Sequence, residues 1–274
     1  MTTTAPPRAT LLARMVPLPP TSARRASLLI ERNVLVYRHG WLLVVSGFFE
    51  PVFYLLSIGI GIGALVGTVS IDGQVLDYTA FVAPGLLASS AMNGAVFDST
   101  FNIFFKLKFA RTYDAVLSTP LSAGDVATGE IGWALIRGLI YSSAFLMVML
   151  VLGLVGSWWA VLVLPAAVLV GFAFAAVGMA ATTYMRSWQD FSFVSLAVLP
   201  MFLFATTFYP LETYPEAVRL IVVCTPLYHA VELIRGLTTG LGDGWLLVHV
   251  GYLVAMGLLG LRVAAARLET LLLK

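Results

Sequence analysis

The stretch Phe105-Lys-Leu-Lys-Phe-Ala-Arg-Thr-Tyr-Asp-Ala-Val-Leu-Ser-Thr-Pro-Leu-Ser-Ala-Gly-Asp125 is the longest polar interruption among the apolar runs of this chain. It carries three basic residues and two acidic ones, and Thr-Pro-Leu at 119–121 breaks a helix. Such a segment between two apolar runs is typical of a cytosolic loop whose basic residues set the membrane topology. A partner outside the membrane would act on the protein at this loop.

The composition around this loop is that of a membrane protein. Of the 274 residues, 59% are hydrophobic and 11% are charged, and the mean hydropathy is +0.93. Soluble domains carry about 25% charged residues. With several apolar runs near twenty residues long, these values predict an all-α polytopic membrane protein. The single cysteine, Cys224, excludes an internal disulfide framework, and no basic patch with interleaved aromatics points to nucleic acid.

The apolar runs predict six transmembrane helices in a single domain over residues 41–263. Their approximate bounds are 41–66, 79–102, 131–155, 158–183, 191–211 and 244–263. The other segments are a disordered tail (1–21), an amphipathic interfacial helix (22–40), a cytosolic loop (103–130), an outer segment (212–243) and a tail (264–274). Thirteen of the sixteen Lys and Arg residues lie on the side of the N-terminus. We therefore expect both termini in the cytoplasm.

The segment 212–243 predicts a re-entrant helical hairpin on the outer face. Residues 216–224 are apolar but too few to cross a bilayer, and Thr225-Pro226 interrupts them. A second short helix begins at Pro226 and is expected to end at Gly236. Irregular backbone at membrane depth needs protein or water around it. An extracellular loop with surface helices is the alternative.

Motifs for catalysis or cofactor binding are absent from the sequence. It has no P-loop, no framed nucleophilic serine, and no metal spacing among its three histidines. We therefore expect no catalytic residue, no metal site and no cofactor bound by this chain.

Three charged residues fall inside the apolar runs and more than three residues from either end, namely Glu50, Asp98 and Arg137. A charge at such depth is costly, so it should face a cavity or a partner, and opposite charges can pair there. These residues are candidates for a transport pathway, and buried structural pairing is the alternative. Glu232 and Arg235, three positions apart, can pair along one helix face.

Aromatic residues crowd the segment 193–214. They suit an apolar lining for an amphiphilic substrate, and an interfacial aromatic belt is the alternative. For an outer gate we single out residues of this segment and of the second short helix, namely Phe208, Tyr209, Tyr228, His229, Glu232 and Arg235.

Several stretches together resemble the permease subunit of ABC-2 type exporters, in particular the NodJ-like branch. They are Phe49-Glu-Pro-Val-Phe-Tyr54, Gly59-Ile-Gly-Ile-Gly63, Phe81-Val-Ala-Pro-Gly-Leu86, Tyr113-Asp-Ala-Val-Leu-Ser-Thr-Pro-Leu121, Gly129-Glu130 and Pro226-Leu-Tyr-His-Ala-Val-Glu-Leu-Ile-Arg-Gly236. The resemblance extends from about residue 28 to 263, which is nearly the whole chain.

This resemblance implies an exporter in a bacterial inner membrane. It implies two permease chains, identical or different, meeting two ATPase chains that hold ATP and Mg. It also implies that the first cytosolic loop and the interfacial helix dock on the ATPase, which makes Lys106, Lys108, Arg111, Tyr113, Asp114 and Arg32 the docking candidates. The cargo would be an amphiphile, such as a drug, a lipid, a lipo-oligosaccharide or another glycolipid. The alternatives are an ion- or proton-coupled carrier using Glu50 and Asp98, and a non-transporting assembly subunit.

Overall fold

The computed structural model describes residues 21–37, 49, 52–71, 73–119, 121–240 and 244–272. Over these ranges the chain is mostly helical, which confirms the predicted fold class. The helices are α1 (Thr21–Tyr37), α2 (Val52–Val66), α3 (Tyr78–Phe109), α4 (Thr112–Leu117), α5 (Ala123–Val151), α6 (Trp158–Thr182), α7 (Trp188–Phe204), α8 (Glu216–Val223), α9 (Pro226–Thr239) and α10 (Leu246–Leu272). The strands are β1 (Thr68–Ile71) and β2 (Gln74–Asp77).

Four helices within these ranges, α3, α5, α6 and α10, are long and apolar enough to cross a membrane. The pair α8 and α9 is bent by 83° and adds a fifth span if it is counted as one. The shorter apolar helices α2 and α7 overlap predicted spans one and five. The count of six spans and the re-entrant hairpin remain predictions. Residues 38–48, 50 and 51, which include the start of predicted span one, and residues 1–20 of the predicted tail lie outside the described residues.

The helices on either side of the long polar stretch extend past the predicted spans. Helix α3 continues through a π-helical turn at Asp98–Asn102 and then through Ile103–Lys108. Helix α5 begins at Ala123, where the Ser122 hydroxyl accepts from Asp125 N and the Asp125 carboxylate accepts from Ser122 N. This reciprocal capping fixes the start of α5. The predicted bounds follow the apolar residues, which mark only the part of a helix that lies in the membrane. The hydrogen-bonded helix continues beyond that part.

The expectation of helices alone missed a β-hairpin between α2 and α3. Strands β1 and β2 pair antiparallel, with Thr68 opposite Asp77. β-branched residues favour β1, and Gly73 in the turn has a φ of +79° that suits glycine. The Asp77 carboxylate then accepts from Thr79 N at 3.0 Å and caps α3.

Helices α6 and α10 approach each other closely at the centre of the bundle. A Cβ atom at Gly260 would lie 2.8 Å from the backbone of Ala176 and of Val177. Many of the buried residues of α6 are alanine or glycine. Small residues at facing positions let helix backbones pack together in a membrane.

Helix α1 packs along one face on α5. Leu29 and Asn33 of α1 are buried, whereas Leu28 and Leu35 are more than half exposed. The side chain of Ile30 lies against Gly132 of α5, where a Cβ atom would come within 3.0 Å of it. One face of α1 is therefore attached to the bundle, and the other is open.

Two helix ends at the opposite end of the molecule differ from the predicted boundaries. Helix α7 ends at Phe204 and not at 211, because the chain turns at Thr206, whose φ is +58°. Helix α9 begins at Pro226 as predicted but continues past Gly236 to Thr239. The helix ends before Gly240, whose φ of +79° is left-handed. Gly236 does not adopt this conformation, so it does not end the helix.

Candidate functional site

A buried polar cluster joins three helices at the end of the bundle where α1 lies. Lys106 Nζ of α3 lies 2.7 Å and 2.9 Å from the two carboxylate oxygens of Glu130 in α5. Asn33 of α1 accepts from Lys106 at 3.2 Å and donates to Glu130 at 3.1 Å. We call Asn33, Lys106 and Glu130 the Lys106 cluster. It attaches α1 to the ends of α3 and α5.

Two of the predicted docking residues belong to this buried region and do not lie on a surface. Only 12% of the Lys106 side chain is exposed, and Tyr113 is fully buried beside Glu130. Burial raises the pKa of the Tyr113 phenol well above its ordinary value, the Glu130 carboxylate raises it further, and Arg32 lowers it. Tyr113 is therefore neutral. Charge periodicity could not show this, because the partner Glu130 lies 24 residues from Lys106.

Two other docking candidates, Arg32 and Arg111, line a groove of about 480 Å³ between α1 and the chain that follows α3. Leu28, Leu29 and Arg32 form its α1 side, and Arg111 lies on the other side. Lys108 and Arg111 are exposed, and Arg111 adopts a positive φ of +43°. The side chain of Asp114 lies outside the described part of the chain.

Asp98 and Arg137, predicted to pair at membrane depth, form an ion pair of 2.8 Å between α3 and α5. Arg137 also donates to the Tyr141 hydroxyl at 3.1 Å. Both charged side chains are at most 15% exposed. Asp98 begins the π-helical turn of α3, so the pair lies where the helix is locally widened. Glu50 lies outside the described residues, and its predicted role remains a prediction.

At the opposite end, Arg235 of α9 is buried among groups from three elements. It donates to Glu232 at 2.6 Å and to the carbonyl of Thr206 at 2.6 Å. Its guanidinium lies 4.1 Å from the centroid of the Phe81 ring in α3. The Thr206 hydroxyl donates to Glu232 at 2.8 Å. The predicted pairing of Glu232 and Arg235 is confirmed, and these bonds also explain why the chain turns at Thr206.

A histidine pair joins α9 to α10 near this end. The Nδ1 atoms of His229 and His249 lie 2.8 Å apart, and both residues are buried. The Tyr252 ring stacks on His229 at 3.9 Å between centroids. Tyr228 meets both imidazoles edge-on, at 5.5 Å and 5.9 Å.

The two aromatic gate candidates that follow α7 differ in exposure. Phe208 packs edge-on against Phe202 at 5.3 Å, and its carbonyl accepts from the Tyr78 hydroxyl at 3.4 Å. Tyr209 is 55% exposed. Phe208 is therefore a packing residue of the bundle end, whereas Tyr209 faces outward.

Sequence reasoning gave no role to Asn33, Glu130, Thr206 or His249, although each contacts a predicted site residue. One signal was available. Glu130 opens an apolar run directly after Gly129, and a carboxylate at that position needs a partner. The other three residues, Asn33, Thr206 and His249, are polar, and no short-range pattern distinguishes them from polar residues without a role.

Comparison with known proteins gives one consistent family. The family model described as ABC-2 type transporter matches residues 24–238. Nodulation protein J of Rhizobium leguminosarum bv. viciae is 33% identical over 89% of this chain and 93% of its own length. Nodulation protein J of Sinorhizobium fredii is 31% identical over 89% and 92%. The inner membrane transport permease YadH of Escherichia coli is 27% identical over 74% and 80%.

These matches agree with the helical architecture. They support the membrane subunit of an ABC transporter over the ion-coupled carrier and the assembly subunit. In this family the membrane subunit is not an enzyme, and the ATPase is a separate subunit. The protein is a multi-pass protein of the inner membrane. The chain therefore belongs to the ABC-2 type transporter permease family.

Proposed function

We propose that this chain works as an exporter permease that moves an amphiphile outward when a separate ATPase pair binds and hydrolyses ATP with Mg. Two permease chains form the path, and both termini of each lie in the cytoplasm. The cargo is a drug, a lipid, or a lipo-oligosaccharide or other glycolipid. The aromatic segment 193–214 supports an amphiphilic cargo, since rigid apolar rings suit such a ligand.

The observation that carries this proposal is the arrangement around Lys106. Lys108 and Arg111 are exposed, and Arg111 lines the groove beside α1, so both bases offer positive charge to a docking partner. Two residues before Lys108, Lys106 is bonded to Glu130 and Asn33. A movement of an ATPase docked at Lys108 and Arg111 would therefore act on α1, α3 and α5 together.

Docking at this surface is tested by charge reversal. We expect Lys108→Glu with Arg111→Glu to abolish co-purification of the ATPase and substrate-stimulated ATP hydrolysis in nanodiscs. The matched control is Arg262→Glu, which reverses an exposed charge near the same end of the bundle, on α10. Unchanged ATPase binding by the double variant, with its unfolding temperature intact, would overturn the docking assignment.

Cargo and drive are tested with the purified permease and its ATPase in nanodiscs. We expect ATP hydrolysis to need both chains and to rise with one class of amphiphile from a panel of drugs, lipids and glycolipids. Hydrolysis that no amphiphile stimulates, in a complex that binds ATP, would contradict the proposed cargo while leaving the family assignment in place.

A further inference from the structure

A groove of about 650 Å³ separates α7 from the rest of the bundle. Phe193, Ala197 and Met201 line it from α7 at a spacing of four residues, which places them on one helix face. Residues of α6 line the opposite wall, among them Phe174 and Ala181. The groove is therefore formed by two facing helix surfaces.

The length of this groove corresponds to one leaflet of a membrane. From Asp190 at its mouth to Met201 at its far end there are eleven residues, or about 16 Å along a helix. The hydrocarbon core of a bilayer is about 30 Å thick, so one leaflet spans about half of it. The mouth lies at the end of the bundle that carries α1, because α6 and α3 both end there.

Most of the described residues that line the groove are apolar, so its interior offers hydrocarbon to a ligand. Its walls are mainly Val, Ala, Phe and Met, and the Thr100 hydroxyl already donates to the carbonyl of Val96 at 2.7 Å. Apolar cavities of this kind do not hold water. An acyl chain satisfies such walls, whereas a polar solute would lose its hydrogen bonds there.

The mouth of the groove carries an excess of positive charge. Arg186 is exposed at the rim, and the Arg267 guanidinium lies 4.3 Å from the centroid of the Tyr184 ring, which also lines the groove. Among the described residues of the rim the one carboxylate is Asp190, which accepts from the backbone N–H groups of Arg186 at 2.7 Å and Ser187 at 3.1 Å. Basic residues at this depth attract the anionic headgroups of the adjacent leaflet.

We propose that this groove is a binding site for an anionic membrane phospholipid, with one acyl chain between α6 and α7 and its phosphate at Arg186. The site lies within one chain, and its apolar lining and basic rim suit a phospholipid whichever cargo the permease moves. It therefore stands whether or not the proposed cargo is correct.

The test uses phosphatidylglycerol that carries a diazirine on its acyl chain, and the matching phosphatidylcholine, with the permease and its ATPase in nanodiscs. After irradiation we expect labelled peptides from α6 and α7 near Ala181 and Val194, with phosphatidylglycerol preferred. Arg186→Glu should reduce phosphatidylglycerol labelling by about fivefold or more, the effect of one basic residue at a membrane surface. Phosphatidylcholine labelling should change less.

Two variants keep this test decisive. Ala197→Trp places a large side chain at an exposed position of the groove wall and should remove labelling by both lipids. Arg262→Glu, at the same end of the bundle and outside the groove, should leave labelling unchanged. Equal labelling of wild type, Arg186→Glu and Ala197→Trp would overturn the proposal.

A protein occupant of the groove is separated from a lipid by crosslinking. In a Cys224→Ser background, Ala197→Cys should react with a lipid-soluble maleimide and should not crosslink to protein. Crosslinks from this cysteine to residues 38–51 or to a second copy would show that protein fills the groove and would overturn the lipid assignment.

Discussion

Lys106 Nζ lies 2.7 Å from Glu130 Oε2, and this contact joins the end of α3 to the first turns of α5. Replacing Lys106 by Ala leaves a buried carboxylate without its cation. We expect a loss of about 3 kcal/mol in the free energy of unfolding, typical of a broken buried ion pair. Because Asn33 contacts both residues, hydrogen exchange should also rise in α1.

The matched control for this variant is Lys108→Ala. Lys108 belongs to the same helix but is exposed, so its removal should change stability by less than about 0.5 kcal/mol. Denaturant unfolding in micelles and exchange in nanodiscs measure both effects. Equal effects of the two variants would show that the ion pair does not hold α1 to the bundle.

The Asp98–Arg137 pair allows a structural role to be separated from a pathway role. Asp98→Asn and Arg137→Gln should each lower the unfolding temperature, because each removes the ion pair and keeps the remaining charge within the bundle. The double variant should recover most of the loss. If the pair is only structural, substrate-stimulated ATP hydrolysis should recover with it. Recovered stability without recovered activity would place one of the two charges in the transport path.

Two glycines of α10 provide a matched pair for the close contact with α6. Gly260→Ala puts a methyl group 2.8 Å from the backbone of Ala176, which cannot move aside. We expect a loss of about 1 to 3 kcal/mol, as in other overpacked cores. A Cβ atom at Gly251 would meet nothing within 4 Å. Gly251→Ala should therefore leave stability unchanged or raise it by up to about 1 kcal/mol, through helix propensity alone. A similar loss in both variants would contradict the packing argument.

The histidine pair predicts a loss of stability in acid. Nδ1 atoms 2.8 Å apart need one N–H donor and one lone pair, so the two rings cannot both be protonated while this contact holds. The unfolded chain binds a proton at each ring below about pH 6.5. It therefore binds more protons than the native chain, and the free energy of unfolding falls as pH decreases below that value.

Unfolding of wild type and of His229→Gln with His249→Gln at pH 7.5 and pH 5 measures this dependence. We expect the wild type to lose more stability in acid than the double variant does. The other rings that pack on the pair are those of Tyr228 and Tyr252, and both are kept in the double variant. The same pH dependence in both proteins would exclude the pair as its source.

Two ion pairs of the structure could be predicted from the sequence, because the cost of a charge in a membrane and the spacing of a helix both favour them. Asp98 and Arg137 each lie in an apolar run, and the cost of an isolated charge there brings them together. Glu232 and Arg235 follow from helical spacing alone. Both arguments use short-range pattern and the surrounding solvent, and both pairs are present in the structure.

Contacts that depend on how helices are placed against one another could not be predicted in this way. Lys106 was expected on a docking surface because nothing local shows that Glu130 and Asn33 surround it. The turn at Thr206 depends on Arg235, 29 residues later, and local propensity disfavours a left-handed threonine. The β-hairpin was missed because four-residue strands carry little periodic signal.

The Lys106 cluster also has a consequence for the order in which the protein assembles during synthesis. Helix α1 leaves the ribosome before every other described helix, yet its buried Asn33 contacts side chains that are 73 and 97 residues further along. Those partners come together only once α3 and α5 have been made and inserted. Helix α1 is therefore attached to the bundle only after α5 is in place.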